Sequence, residues 1–419
     1  MRASPKPSQL RRDLGLLDAV GIGFGAIVGA GIFVVTGVAA GIAGPSFLVG
    51  LVVAGVAATA NALSSAQLAA EYPESGGTYE YGYRVLDPWA GFIAGWLFLA
   101  SKIAAAGTVA LGLGEYLAAL VPVLPPRVVA VTAVVAFSAL NYFGVRRSSR
   151  ANLVIVAVSV GTLLIFTAAA APSFTLDNLS PFAPFGWRGT AKSAALLFFA
   201  YTGYARIATL GEEVAQPRRT IPRAIVLTIG GAILLYLIVA AAAVGVAGAK
   251  ELAATGAPLR VAALRTEASW LPTLVSVGAV TAMLGVILSQ ILGLSRMAFA
   301  MARRGDLPRA LSHVHADRGV PDRAVLATGA VASVVAATGT LTGIAAAASF
   351  TILLYYGIAN IAALRMPDRA KLYPAFVPAT GLLACLLLAL ALPGETILTG
   401  LVTLAVGVIG RLILKTGRQ

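Results

Sequence analysis

The fold follows from the stretch Gly25-Ala26-Ile27-Val28-Gly29-Ala30-Gly31-Ile32-Phe33, which interrupts a long apolar segment with three glycines. A second stretch, Phe198-Phe199-Ala200-Tyr201-Thr202-Gly203-Tyr204, interrupts a later apolar segment in a similar way. Glycine is costly inside a helix because it leaves the backbone freedom unrestrained. In lipid, an unwound turn also frees amide and carbonyl groups that nothing apolar can satisfy. We therefore expect both stretches to be unwound turns that line a polar cavity.

The composition requires a membrane around most of the chain. Hydrophobic residues make up 58% of the 419 residues and charged residues 11%, whereas a soluble domain carries roughly 25% charged residues. A helix needs about 20 apolar residues to cross a bilayer. The sequence predicts twelve spans, at about 14–40, 45–70, 88–120, 127–145, 151–171, 189–211, 222–248, 269–302, 321–341, 343–364, 373–392 and 394–416.

The two interrupted stretches fall in the first and the sixth of these spans, so each begins a group of five. Broken helices at matching places in two repeats are typical of a transporter, whose binding site then lies near the membrane midplane.

The net charge of +14 is explained by topology rather than by nucleic-acid binding. With a cytoplasmic N-terminus, 23 of the 31 lysines and arginines fall on the inside, 6 on the outside and 2 within spans. Since cytoplasmic loops carry the excess of positive charge, both termini are expected in the cytoplasm. The six outside cations are Arg127, Arg188, Lys192, Lys250, Arg260 and Arg265.

Motifs for catalysis or cofactor binding are not found in the sequence. His313 and His315 share a basic loop without a carboxylate or thiol at metal-ligand spacing. Cys385, the single cysteine, lies in an apolar span and is interpreted as a core residue. No GxxxxGK[ST] run is present, and the glycines of 25–31 follow no strand. We expect neither an enzyme nor a bound cofactor or metal.

Two cations lie within the predicted spans. Lys102 is well inside the third span, and Arg206 follows the second interrupted stretch. A charge at mid-bilayer costs a few kcal/mol on insertion scales, so it normally faces a cavity or a partner. The sequence predicts a functional role for Lys102. Arg206 is predicted to form a structural or gating ion pair with Glu212 or Glu213.

The link from Glu71 to Tyr81 is unusually rich in glycine and aromatic residues for a cytoplasmic loop. Its rings either anchor the loop at the membrane interface or pack into the inner mouth as part of a gate.

Four motifs, in order along nearly the whole chain, carry a family resemblance. They are 25–33, the GGTYEY motif at 76–81, 198–204 followed by Glu212, Glu213, Val214 and Pro217, and 295–297 with 305–308. In these residues the sequence resembles the amino acid–polyamine–organocation transporter superfamily, nearest its bacterial amino acid permeases and their cationic amino acid transporter relatives.

The resemblance implies an all-α fold of the leucine-transporter type, with about 12 transmembrane helices. Two five-helix inverted repeats would cover 14–171 and 189–364, after a cytoplasmic segment at 1–13. Two further helices and a tail would occupy 365–419. The first and sixth helices would unwind at their centres, and an amino acid or amine would bind between the first, third, sixth and eighth helices.

The predicted substrate-binding residues are Ile27, Gly29, Ala30, Gly31, Phe199, Thr202, Tyr201 and Tyr204. The amides of Ala30 and Gly31 would lie at the start of a half-helix, where partial positive charge suits a carboxylate. The carbonyls of Ile27, Phe199 and Thr202 would suit an ammonium group. The tyrosines and the third and eighth helices would then distinguish between side chains.

The sequence departs from the family at two positions. Ser159 stands where some proton-coupled relatives carry a lysine on the fifth helix, and Ala205 and Arg206 stand where many relatives carry an acidic residue. Lys102 is therefore the predicted proton-coupling group, because a lysine held away from water can release its proton near physiological pH. The sequence offers a poor set of ligands for a sodium ion. The carbonyls of Gly25 and Val28 could contribute, but Ser289 is the one hydroxyl candidate and a weak one.

The leading hypothesis is a secondary active amino acid transporter of a bacterial plasma membrane that works by alternating access. Lys102 and Arg206 add positive charge near the site, so neutral amino acids are the expected substrates. Proton-linked, sodium-independent transport is expected. The alternatives are an exchanger, a carrier of acidic or cationic amino acids or polyamines, and an amino acid sensor that does not transport.

Overall fold

The computed structural model describes residues 14–72, 76–144, 149–208, 214 and 216–416. In this part of the chain the regular structure is helical. The helices are α1 Leu16–Ile27, α2 Thr36–Ala43, α3 Phe47–Glu71, α4 Thr78–Tyr81, α5 Pro88–Leu120, α6 Pro126–Tyr142, α7 Ser149–Ala170, α8 Gly186–Leu197, α9 Ala205–Ala208, α10 Pro217–Ala253, α11 Pro258–Leu264, α12 Leu271–Arg304, α13 Asp322–Thr338, α14 Leu341–Arg365, α15 Phe376–Ala391 and α16 Gly394–Thr416.

The chain is an all-helical, multi-span membrane protein. Seven helical stretches of the described residues are long and apolar enough to cross a bilayer, and α6 and α15 are shorter apolar helices. Each of the twelve predicted spans contains helix, although the boundaries shift by several residues, as where α13 ends at Thr338 and α14 begins at Leu341.

The longest helices form the interior of the bundle. Helix α5 packs against α6, α12, α13 and α14, while α3 packs against α8, α10 and α15. Helix α1 packs against α7 and α10. Helix α16 lies at the edge, against α14 and α5, and leaves most of its side chains exposed, as expected for a lipid-facing helix.

The first predicted interruption is present in the structure. Helix α1 ends at Ile27, and Val28 is extended, with φ −74° and ψ 105°. The chain then enters a wide helical turn, Gly31–Val35, which continues into α2. The Phe33 amide donates to the Gly29 carbonyl at 3.2 Å, so the amides just before Phe33 lie in the first turn of a new helix, where intrahelical acceptors are missing.

The second predicted interruption is also present, but with a different geometry. Helix α8 ends at Leu197 and tightens into the 3₁₀ segment Phe198–Tyr204, which leads into the short helix α9. A 3₁₀ segment inside a helix often marks a hinge or a functional position. Both interruptions therefore fall where the glycines and aromatic residues predicted them.

Candidate functional site

The two interrupted segments contact each other through glycine. A Cβ added to Gly31 would lie 2.7 Å from the Cα of Ala200 in the second segment. A Cβ added to Gly203 would meet the Ala26 carbonyl and would lie 2.6 Å from the Ile27 nitrogen in the first segment. Because backbone atoms cannot move aside as a flexible side chain can, these two positions require glycine.

Hydroxyl groups donate hydrogen bonds to backbone carbonyls at both interruptions. The Tyr236 hydroxyl of α10 donates to the Ile27 carbonyl at 2.7 Å and lies 3.4 Å from the Ala200 carbonyl. Within the second segment the Thr202 hydroxyl donates to the Phe199 carbonyl at 3.0 Å. A buried tyrosine hydroxyl usually finds such a partner, and here Tyr236 joins both interruptions.

A third hydroxyl reaches the same region from α14. The Tyr356 hydroxyl donates to the Thr202 carbonyl at 3.4 Å. The carbonyls of Ile27, Phe199 and Thr202 thus each accept a hydrogen bond from a hydroxyl group.

A narrow cavity of about 20 Å³ lies between the interruptions. Its lining residues are Ala26, Ile27, Gly29, Ala30, Gly31, Lys102, Val109, Phe199, Ala200, Thr202, Val286 and Gln290. This volume holds about one water molecule, whereas ligand pockets measure about 300–1,000 Å³. An amino acid would fit only after α5, α12 and the interruptions move apart, so this conformation is closed at the cavity.

The Lys102 side chain reaches this cavity from α5. The residue is 8% exposed, and its ammonium lies 5.8 Å from the centre of the Phe98 ring. Among the described residues, none forms an ion pair or hydrogen bond with the ammonium, and Arg206 is near enough to repel it. A buried charge without a counter-charge is energetically costly, and Lys102 is the ionisable side chain among the described residues that line the cavity.

The predicted partners of Arg206 cannot be compared with the structure, because Glu212 and Glu213 lie outside the described residues. The Arg206 guanidinium instead approaches α12, where its Nη1 would lie 3.1 Å from a Cβ on Gly293.

Tyr201 and Tyr204 do not line the cavity in this conformation. The Tyr201 hydroxyl points to α3, where it donates to the Leu51 carbonyl at 3.3 Å. The Tyr204 ring stacks on Tyr356, with ring centres 5.2 Å apart. Direct contact of either ring with a substrate would need a rearrangement.

Two lining residues of α12 were missed by the sequence analysis. Val286 and Gln290 stand one helical turn apart and face the cavity together. Ser289, the residue considered there, donates to the Val286 carbonyl at 3.1 Å. Residues four apart share a helix face, so the Val286–Gln290 spacing was the signal that could have identified Gln290.

Helices that are distant in sequence meet in an ionic cluster on the predicted cytoplasmic side, here called the inner cluster. It consists of Tyr79, Glu80, Tyr83, Arg304, Asp306 and Arg411. The Tyr79 and Tyr83 hydroxyls donate to one oxygen of Asp306, at 2.8 and 2.6 Å. Arg411 lies 3.0 Å from the other oxygen. Burial, together with the Asp306 carboxylate, raises the pKa of both tyrosines well above the ordinary value.

Glu80 and Arg304 form the second half of the inner cluster. Glu80 pairs with Arg304 at 2.9 Å and with Arg84 at 2.6 Å. Although burial opposes ionisation, the two guanidinium groups lower the pKa of the Glu80 carboxyl. The Arg304 guanidinium also lies 4.3 Å from the centre of the Tyr83 ring. Tyr79 and Tyr81 are 3% and 1% exposed, so these two rings of the 76–81 motif pack inside the protein and are not interface anchors.

Comparisons with known proteins agree on one family. A family described as "Amino acid permease" matches residues 14–408. The chain is 44% identical over 421 residues to an uncharacterized transporter of Mycobacterium tuberculosis, covering 99% of this chain and 94% of that protein.

Two proteins of Bacillus subtilis are also similar over nearly their whole length. A branched-chain amino acid permease is 30% identical over 435 residues, covering 97% of this chain and 94% of the relative. A methylthioribose transporter is 30% identical over 438 residues, with the same coverage of 97% and 94%.

Proposed function

Because the chain belongs to the amino acid permease family, a family of transporters and not of enzymes, we propose that it moves amino acids by secondary active transport with alternating access. The family relates it to bacterial permeases and to plant cationic amino acid transporters. The observation that carries the proposal is the contact of two interrupted helical segments around a closed cavity at Gly31 and Ala200.

We also propose the finer architecture that the sequence predicts. Twelve spans would form two five-helix inverted repeats, 14–171 and 189–364, followed by two helices and a tail in 365–419. Interruptions in both the first and the sixth spans support this division. The protein would lie in a bacterial plasma membrane with both termini in the cytoplasm, in line with the charge asymmetry of its loops.

The backbone of the interruptions would recognise the part common to all amino acids. The amides of Ala30 and Gly31 begin a new helical segment, whose positive end suits the substrate carboxylate. The carbonyls of Ile27, Phe199 and Thr202 would receive the ammonium group, because all three residues line the cavity. The substrate would enter when the cavity expands.

Neutral amino acids are the proposed substrates. The polar side chains that line the cavity are Lys102, Thr202 and Gln290, and no described lining residue is acidic. A cationic side chain would therefore be buried without compensation. The similarity to a branched-chain amino acid permease supports the same choice.

Two other substrate classes have specific support. An acidic amino acid could pair with Arg206, which lies just beyond the second interruption. The equal similarity to a methylthioribose transporter adds that compound as a candidate.

The coupling ion is proposed to be a proton, with Lys102 as the carrier. Lys102 lies at the cavity without an acidic partner among the described residues. Its charge would then alternate as the cavity opens to either side. Transport would not require sodium, in line with the position of Ser289, the weak hydroxyl candidate for a sodium ligand, which is not among the residues that line the cavity.

Uptake of labelled leucine into proteoliposomes that contain the purified chain tests the proposal. We expect accumulation driven by an imposed inward proton gradient, in the presence or absence of sodium. Unlabelled neutral amino acids should compete, whereas arginine, glutamate, putrescine and methylthioribose should compete weakly. Leucine binding without uptake or exchange would instead indicate a sensor. Strong displacement by arginine or putrescine alone would contradict the choice of neutral substrates.

A further inference from the structure

An open cleft of about 700 Å³ lies on the predicted outer face, apart from the closed central cavity. Its walls come from the end of α2, the first turns of α8 and α14, and the connection from α15 to α16. The volume falls within the usual range of ligand pockets, about 300–1,000 Å³. The cleft is therefore large enough for a small molecule or a lipid headgroup.

Charged side chains of both signs stand around this cleft. Arg188 and Lys192 lie one turn apart on α8, and Glu395, in the first turn of α16, lines the same cleft. None of the three forms an ion pair with a described residue. Two of the six predicted outer cations of the chain thus share a cleft of ligand size with one carboxylate.

Two helices begin at the cleft. The Thr340 hydroxyl caps α14 by accepting from the Gly343 amide at 3.2 Å, and α16 begins beside Glu395. The amino ends of helices carry partial positive charge, so the start of α14 adds to the positive potential of Arg188 and Lys192, while the Glu395 carboxylate offsets the start of its own helix.

The cleft and the central cavity share one chain segment. Leu196 at the end of α8 lines the cleft, and Phe199 in the second interruption lines the cavity.

We infer that this cleft binds a zwitterion, with its anionic group against Arg188 and Lys192 and its ammonium against Glu395. The three charges together complement a ligand that carries one group of each sign, whereas a cation alone would be repelled by the two basic side chains. Two ligands share this chemistry. One is a free amino acid outside the membrane, which rests on the proposed function, and the other is the headgroup of an ethanolamine phospholipid.

The test uses three variants of cleft residues and two matched controls. The cleft variants are Arg188→Gln, Lys192→Gln and Glu395→Gln, alone and combined. The controls are Lys250→Gln and Glu267→Gln, which remove exposed charges of the same predicted face outside the cleft. All five side chains are exposed, so none of these changes should prevent folding.

The first measurement is the KM and kcat for leucine uptake from outside by cells that produce the full chain. If the ligand is the amino acid, the cleft variants should raise KM by about twofold to fivefold and leave kcat unchanged, as expected for solvent-exposed charge contacts. The control variants should keep the KM of the wild type.

The second measurement is the thermal unfolding of the purified protein in detergent with a short-chain phosphatidylethanolamine or phosphatidylglycerol. If the ligand is the lipid, phosphatidylethanolamine should raise the midpoint of the wild type more than phosphatidylglycerol does. This preference should disappear in the cleft variants, with KM unchanged. Cleft variants that match the controls in both measurements would overturn the inference. A wild type without leucine uptake would contradict the proposed function, while the unfolding measurement would still decide the lipid site.

Discussion

The Arg411 guanidinium of α16 lies 3.0 Å from the Asp306 carboxylate just beyond α12, and both side chains are almost completely buried. Arg411 also donates to the Pro88 carbonyl at 2.8 Å and to the Tyr83 hydroxyl at 2.9 Å. The Trp89 ring lies 4.6 Å from the guanidinium. The last helix, otherwise turned toward lipid, is thereby fastened to the predicted cytoplasmic ends of α5 and α12.

Removal of one charge from this pair should lower the free energy of unfolding more than removal of both charges. Asp306→Asn leaves the Arg411 guanidinium buried without its counter-charge, a change worth about 3–5 kcal/mol in buried pairs. The double variant D306N/R411M removes that charge as well and should recover part of the loss. Thermal unfolding in detergent measures both. If the loss of stability in the double variant equals the sum of the losses in the two single variants, the residues do not interact as described.

The exposed pair of Glu251 and Arg265 provides the control for this prediction. Glu251→Gln should change stability by about 0–1 kcal/mol, because solvent screens an exposed ion pair. A loss as large as that of Asp306→Asn would show that the unfolding measurement does not separate buried from exposed pairs.

The glycines at the contact of the interruptions should not tolerate even a methyl group. Gly31→Ala and Gly203→Ala place Cβ against backbone atoms, and overpacking of this kind costs about 1–3 kcal/mol or more. Leucine binding should be lost together with stability. Gly29→Ala should be milder, since its Cβ meets only the side chain of Val286, at 3.0 Å.

Gly230 of α10 is the matched control, because nothing lies within 4 Å of a Cβ added there. Gly230→Ala should stabilise the helix by up to about 1 kcal/mol and leave leucine binding unchanged. Normal leucine affinity in Gly31→Ala and Gly203→Ala would show that the interruptions do not form the binding site.

The sequence predicted the helices and their interruptions because lipid imposes a simple constraint on each segment by itself. Apolar segments long enough to span a bilayer must be helical in lipid, and clusters of glycine mark where the helix is interrupted. Lys102 could be placed near the cavity by the same reasoning, since a charge deep in a span needs a polar surrounding.

Contacts between segments could not be predicted in this way. The bond from Tyr236 to Ile27 and the pair of Asp306 with Arg411 depend on how separate helices rotate and slide against each other. The sequence of a helix that is apolar on every face has little periodicity from which this rotation could be predicted. The positions of Tyr201 and Tyr204, both turned from the cavity, follow from the same packing.

The Tyr236 hydroxyl should matter for binding more than other buried hydroxyls. Tyr236→Phe removes the donor to the Ile27 carbonyl, and a hydrogen bond of this type contributes about 0.5–1.5 kcal/mol. Both interruptions then lose a shared support, so leucine affinity should fall about threefold to tenfold. Isothermal titration calorimetry, or a scintillation proximity assay with labelled leucine, measures this affinity.

Tyr201→Phe is the control, because its hydroxyl reaches the Leu51 carbonyl rather than the carbonyls of the interruptions. It removes the same group from a neighbouring ring, with ring centres 5.4 Å apart. Equal losses of affinity in the two variants would contradict a specific role for Tyr236.

The charge of Lys102 should determine how transport responds to pH. The ammonium lies at the closed cavity without an acidic partner among the described residues, and Arg206 repels it. Deprotonation would therefore relieve a buried charge, and reprotonation from one side would restore it during each cycle. Lys102→Ala should abolish leucine uptake or make its rate independent of an imposed pH gradient.

Lys250→Ala separates this effect from a general loss of positive charge, since Lys250 is exposed near the predicted outer end of α10. This variant should retain the pH response of the wild type. Leucine exchange at equal pH on both sides distinguishes coupling from binding, because a variant that has lost only the coupling group should still exchange. Stimulation of uptake by a sodium gradient alone, with Lys102→Ala equal to the wild type, would leave Lys102 as a structural residue and exclude the proposed proton coupling.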